Sequence, residues 1–423
     1  MKELTRRNFI YGMAASAVMV GFPNLGQAFS NDDKFDLVIR GGEVLDPSQN
    51  LRARRDVGIR NAVVAALEPE IPASMGKQVI DAGGRLVLPG LIDYHAHVCP
   101  ELSAIGIPAD ELVPYSGATT YVDTGDTGGN NFSAFKHYII PKCRSRIYAY
   151  VHISCIGLAG FPVTECLNIN YVNVDLAAKT LAENPDVLLG VKVRMEKSIV
   201  GENGLEPLKR AIKAAELSGV KGARVMCHIG LGPGEMSDLL ELLRPGDVLT
   251  HCFTGNGTGI MKDGKVLPAA RAAKERGVIF DVAHGAGSFD FAIAEPAMAQ
   301  GILPDTLSSD VHVYSANSPG RVQLPWVMSK FLHMGLSLEQ VVAMTTQIPA
   351  KLIGKVDKLG TLQVGAPGDV SILELVEEDV KFMDAGGGGK KLNTRQGKRY
   401  LKPFKTVRAG RAFGQPYPAP FVF

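Results

Sequence analysis

The chain has 423 residues, 46% of them hydrophobic and 21% charged, which describes an ordinary globular protein with material for a large core. Its 45 basic and 43 acidic side chains leave a net charge of +2. Such a balance gives no support for a nucleic-acid or membrane-surface partner.

In chain order the first element is an export signal. Thr5-Arg6-Arg7-Asn8-Phe9-Ile10 is a twin-arginine pattern, an apolar run covers residues 11–22, and Gly26-Gln27-Ala28 is a small-residue cleavage site. An uninterrupted apolar run of about a dozen residues is too short to span a bilayer, so no stable membrane anchor is expected. Residues 1–28 are read as a signal peptide, the twin-arginine export machinery as a partner, and the periplasm as the destination. Six cysteines in a chain this long make no disulfide framework, and the lack of a Cys-x-x-Cys pair argues against a cysteine zinc cluster.

Short strands are expected at 35–47, around a Gly41-Gly42 turn, and at 55–60, 62–67 and 77–81. The stretches 360–373 and 404–410 have the same texture, so residues 29–85 and 355–423 are expected to pair into a small β-sandwich. Asp384-Ala385-Gly386-Gly387-Gly388-Gly389-Lys390-Lys391 reads as a flexible surface loop of that sandwich. It lacks the Gly-Lys-Ser/Thr ending and the strand-to-helix setting of a phosphate loop.

Between the two ends, over 86–354, strand-like and helix-like segments alternate in the manner of parallel βα units. Strands are expected at 88–97, 119–124, 147–154, 188–194, 223–229, 247–251, 278–283 and 306–311. Clear helices cover 205–217 and 267–276, stopped by Gly219 and Gly277. Eight such strands predict a (β/α)8 TIM barrel, an α/β fold.

His95 and His97 end the first of these strands two residues apart, so both imidazoles face one side. Paired imidazoles suit a divalent metal, although a hydrogen-bonded pair in a packed strand has the same spacing. Lys192, His228, His251 and Asp310 each end a later strand, the face where barrel enzymes keep their chemistry. An ammonium cannot ligate a metal, so a lysine in this company is neutral or converted to an anion, or else lies outside the site in an ion pair.

The order His-x-His, Lys, His, His, Asp, flanked by Val87-Leu88-Pro89-Gly90-Leu91-Ile92-Asp93 and Val364-Gly365-Ala366-Pro367-Gly368-Asp369-Val370, resembles the amidohydrolase superfamily. Val191-Lys192-Val193-Arg194-Met195, Asp281-Val282-Ala283-His284-Gly285-Ala286-Gly287-Ser288-Phe289 and Ser308-Ser309-Asp310-Val311-His312 look like its deacetylase, or dihydroorotase-like, branch. The resemblance implies two divalent metal ions, usually Zn2+. His95, His97 and Asp310 would hold the more buried ion, and His228 and His251 the more exposed one. Lys192, carboxylated to a carbamate, would bridge them. A hydroxide shared by the two metals would attack an acyl carbon, with Asp310 carrying its proton to the leaving group.

Cys227 and Cys252, each beside an implied ligand, are expected to point away into the barrel wall, and Cys99 is left open. Arg194 is a candidate to grip a substrate carboxylate or to form a structural ion pair. His284 and His312 are candidates for substrate contact or for orienting a ligand. His137, His152 and His333 are read as structural. The glycines of 125–131 and 230–234 lack dinucleotide-binding spacing and are expected to let backbone approach the substrate.

The sequence thus predicts a hydrolase that removes an acetyl-type acyl group, through an amide or ester bond, from a small carboxylate-bearing molecule. A cyclic amidase and a catalytically silent scaffold are the alternatives, and a homo-oligomer is compatible with all of them.

Overall fold

The computed structural model describes residues 34–355, 358–386 and 392–414. The export signal and residues 387–391 of the glycine-rich stretch lie outside the described residues. No helix among those described is long and apolar enough to cross a membrane.

Seven parallel strands neighbour one another in chain order: Leu91–Ala96, Ala118–Gly128, Arg146–His152, Leu188–Met195, Arg224–Ile229, Val248–Thr250 and Ile279–Asp281. Residues 306–311 fill the eighth place. They touch the seventh strand through a parallel bridge from Asp281 to Thr306, and the first through one from Ala96 to Val311, so the ring closes. This eighth segment is not the continuous strand expected from its sequence. Ser308 Oγ accepts from Ala283 N–H beyond the end of the seventh strand, Ser309 Oγ accepts locally from Val311 N–H, and Asp310 turns out of the extended region at φ +50°, so side-chain bonds stand where a regular ladder would run.

The expected strand 88–97 divides at Gly90. Leu86–Pro89 pairs antiparallel with residues 370–373 in another sheet, and only Leu91–Ala96 enters the barrel. A Cβ at Gly90 would lie 2.3 Å from Thr119 Oγ1, so the crossover from one sheet to the other passes too close for a side chain.

Strand alternation sorts the barrel residues into two populations. Val191, Val193, Val225, Cys227 and Leu249 are buried in one cluster together with helix residues such as Leu208, Ala211 and Ala270. Tyr94, Val122, Tyr150, Met226 and Val248 form a second cluster, and Met226 and Val248 share strand faces with His228 and Thr250. The interior is therefore a packed floor beneath the polar end. Its outer helices include Glu206–Leu217 and Pro268–Arg276, the second ended by Gly277 at φ +97°.

The two chain ends share a six-stranded sheet in which Leu86–Pro89 lies between Val370–Val376 and Glu43–Asp46. A four-stranded sheet containing Leu37–Arg40 and Asp56–Arg60 packs on it through Leu37, Ile39, Val57, Ile59, Val87, Val370 and Val407. The segments flanking the expected loop at 384–391 do not join the sheets of the sandwich. Val380–Met383 and Thr394–Gly397 form a separate hairpin, and Asp384 at its turn is buried, accepting from Phe291 N–H and Asn393 N–H. Phe382 sits against Trp326 on a barrel helix, which gives the hairpin its apolar anchor.

Candidate metal centre and active site

All six residues singled out from the sequence converge at the C-terminal end of the barrel. His95, His251 and Asp310 are buried, with ligand-type atoms within 4.8 Å of one another. Asp310 Oδ1 lies 3.4 Å from His95 Nε2 and 3.2 Å from His97 Nε2, and Lys192 Nζ lies 3.4 Å from His95 Nε2. His228 Nδ1 and His251 Nε2 approach to 2.8 Å.

The outer partner of each histidine decides which nitrogen is free. His251 Nδ1 faces the carbonyl of Ala283 at 2.8 Å, an acceptor only, so it carries the proton and Nε2 is bare. His228 Nε2 faces the Glu196 carboxylate at 2.7 Å, which leaves Nδ1 bare. His97 Nδ1 donates to Asp126 at 2.5 Å. His95 Nδ1 donates to Thr250 Oγ1 at 2.8 Å, because that hydroxyl spends its own proton on Asp281. Every ring is thus tied on its outer nitrogen and turns its inner nitrogen toward a common centre, the arrangement in which imidazoles hold metals.

The electrostatics agree. Burial, with Arg194 and Lys192 nearby, pushes His228 well below the usual imidazole range, and burial with His228 does the same to His251. Both rings are neutral, so two bare nitrogens face each other across 2.8 Å with no proton between them. A cation satisfies that pair. Burial opposes charge on His97, but Asp126 and Asp310 outweigh it and raise its pKa to about 9. Burial also works to raise Asp310, and the facing rings of His95 and His97 more than reverse it. Positive charge is favoured at this point.

Lys192 is 1% exposed, and burial lowers its pKa to about 8. The amine meets His95 Nε2 and shares the cavity lining with His97 and His228. Its stem is accommodated by Gly125, at φ +86°, where a Cβ would lie 2.7 Å from Lys192 Cβ. Backbone strain marks the site as well. His251, Ala283 and Asp310 adopt φ of +64°, +41° and +50°, each costing about 1–2 kcal/mol for a residue with a side chain.

A cavity of about 190 Å³ opens over this cluster, lined by His97, Lys192, Arg194, His228, Asp310 and His312 with Leu158 and Phe161. Clefts of about 690 and 580 Å³ elsewhere contain none of the six clustered side chains. Arg194 lines the cavity and also meets buried Glu165, at 3.4 Å to each carboxylate oxygen. These contacts are long, so its guanidinium is held in place while donors stay open to a ligand.

The two histidines of the last loops part company. His312 lines the cavity beside His97, with ring centres 5.8 Å apart, and burial lowers its pKa to about 4. His284 turns away: its Nδ1 donates to Gly285 O, its Nε2 meets Lys330 Nζ, and its ring stacks on Phe289. The expectation of a substrate contact at His284 does not fit this placement, because apolar Phe289 and the buried lysine offer it partners inside the wall.

Cys227 and Cys252 are buried in the barrel wall, as expected, and Cys99 joins the same cluster. His137 and His333 are exposed on helical segments, while His152 is buried and accepts from Ser154 N–H. The glycine loops serve strand packing more than substrate. A Cβ at Gly128 would lie 2.0 Å from Ser154 O and one at Gly230 2.3 Å from Glu196 Oε1, and neither loop lines the cavity.

Sequence reasoning missed Asp126, Glu165, Glu196, Thr250, Asp281 and Lys330. Asp126 carried a signal, since it continues the second strand on the face of Thr124. Glu165 and Glu196 lie in loops whose course no local pattern fixes.

The Amidohydrolase family profile matches residues 86–407. A deacetylase of Agrobacterium fabrum is 36% identical over 351 residues, covering 82% of this chain and 84% of that protein. Among solved structures, a dihydroorotase is 31% identical with a TM-score of 0.81, covering 91% of this chain and 98% of its own. An adenine deaminase is 28% identical with a TM-score of 0.80, covering 90% and 100%. With its barrel, its converging histidines and a match over most of its length, this chain belongs to the amidohydrolase family.

Proposed function

We propose that the chain is a binuclear metal-dependent deacylase acting on a small acid that carries an acetyl-type amide or ester. The observation that carries this reading is the pair of bare nitrogens on His228 and His251, set beside buried Lys192 and Asp310. His95, His97 and Asp310 suit one divalent ion, His228 and His251 the other, and Lys192 as a carbamate the bridge, with Zn2+ the ion of choice for such imidazole-rich donors. When bound, the ions supply Lewis acidity and a water of lowered pKa.

The chain's own groups do the rest. Asp310 takes the proton that the attacking water loses at its carboxylate and returns it to the departing amine or alcohol oxygen. Arg194, steadied by Glu165, receives the substrate carboxylate bidentately. Leu158 and Phe161 give the cavity an apolar side that limits access of bulk water.

The curated deacetylase relatives favour acyl removal. The likeness to a dihydroorotase structure favours a second reading, opening of a cyclic amide at the same centre. Assaying metal-replete protein on N-acyl and O-acyl acids of both configurations beside cyclic amides separates the two. Turnover confined to cyclic amides overturns the deacylase reading. The twin-arginine pattern supports a further proposal, export to the periplasm with cleavage near Ala28, and cell fractionation with N-terminal sequencing of the mature protein tests it.

A further inference from the structure

Lys330 is fully buried on the helix Leu324–His333, outside the metal cluster, and the mechanism above does not use it. Its Nζ lies 2.5 Å from His284 Nε2 and 2.5 Å from Gly320 O. A buried amine is costly to desolvate, so its retention calls for a task.

The two partners belong to the two loops that build one side of the cavity. His284 follows the seventh strand, and its neighbours Ala286, Gly287 and Ser288 line the cavity. Gly320 belongs to the stretch after the eighth segment, whose His312 and Tyr314 line the cavity beside them. His284 Nδ1 donates to Gly285 O at 2.9 Å, and Gly285 abuts the metal-side carboxylate, since a Cβ there would lie 2.4 Å from Asp310 Oδ2. Because Gly285 O only accepts, His284 Nε2 is bare and takes its hydrogen bond from Lys330. One ammonium or amine thus ties both loops and fixes the His284 tautomer.

We propose that Lys330 is a positioning residue that clamps the substrate-facing wall of residues 286–288 and 312–314 without touching substrate. This rests on the cavity being the deacylase site. Removing the clamp leaves the six metal-centre residues in place and loosens the wall, so substrate binding suffers more than the chemical step.

The test compares native protein, Lys330→Met and His284→Leu, all metal-replete, on the best acyl acid found. Either variant is expected to raise KM about tenfold, with kcat within about threefold and metal content unchanged, and the double variant to be no worse than the poorer single. Lys330→Gln, which keeps a donor, is expected to recover part of the KM. A folded variant with native KM, or effects that multiply in the double variant, overturns the clamp. Nitrogen NMR of native protein judges the same geometry without any substitution: His284 Nε2 is expected to show the shift of an unprotonated nitrogen, and a protonated Nε2 overturns the proposal. If the native chain hydrolyses no acyl acid, the function fails on that arm while the His284 tautomer still decides the clamp.

Discussion

His228 Nδ1 and His251 Nε2 lie 2.8 Å apart, and each is the unprotonated nitrogen of its ring. Two lone pairs at that distance repel unless a cation lies between or beside them. Purified protein is therefore expected to carry close to two divalent ions per chain, about one of which is lost in His251→Ala. Elemental analysis after gel filtration checks it, and metal-free native protein would remove the binuclear reading. Stripping the ions with a chelator should lower the melting temperature, because ions that bind only the folded chain stabilise it.

Lys192 Nζ lies 3.4 Å from His95 Nε2 and lines the cavity with His97 and His228, and the proposed bridge is its carbamate. Lys192→Ala is expected to lose most of the metal and to regain it, with part of the activity, when a short carboxylic acid is supplied. Full metal retention in the unsupplemented variant would sink the bridging role.

The same lysine should show its burial in a pH profile. Carbon dioxide reacts with the neutral amine, and a folded pKa lowered to about 8 means that the neutral form is the minority below pH 8 and the majority above it. Carboxylation of the metal-free protein is thus expected to rise with pH through that range, well below the ordinary lysine range. Carbon-13 NMR with labelled bicarbonate reads the carbamate directly, and a profile centred near the value of a free lysine would contradict it.

The barrel and the candidate site residues were legible because strand periodicity places His95, Lys192, His228 and His251 toward strand ends, and strand ends are local features. The eighth segment was legible in position but not in form, since Ser308, Ser309 and the φ of Asp310 trade ladder bonds for side-chain bonds. The outer partners escaped for a different reason. Glu196 meets His228 across 32 residues and Asp281 meets Thr250 across 31, pairings that only the closed barrel brings about. His284 shows the limit most clearly, because its partner Lys330 lies on a helix 46 residues further along.

Gly125 was read as a loop residue near substrate, yet its position makes it a support for Lys192. A methyl there would stand 2.7 Å from Lys192 Cβ on a backbone at φ +86°. Gly125→Ala is expected to destabilise the fold by about 2–4 kcal/mol, combining left-handed strain with overpacking. It should also lower metal occupancy, since the lysine stem must shift. Denaturant unfolding with parallel metal analysis measures both, and a variant with native stability and native metal content would show that the stem has room to spare.

In the proposed mechanism Asp310 combines two duties, one as a ligand beside His95 and His97 and one as the proton carrier, and the amide of Asp310→Asn separates them. An asparagine oxygen can still face the metal side, so much of the metal should remain. An amide cannot accept the water's proton, so kcat should fall by about 10²–10⁴, the usual contribution of a general acid–base group. Metal content and kcat measured on the same preparation distinguish the duties. Near-normal turnover would pass the proton to another group, and His312, lining the same cavity with a pKa lowered to about 4, is the residue that His312→Gln would then interrogate.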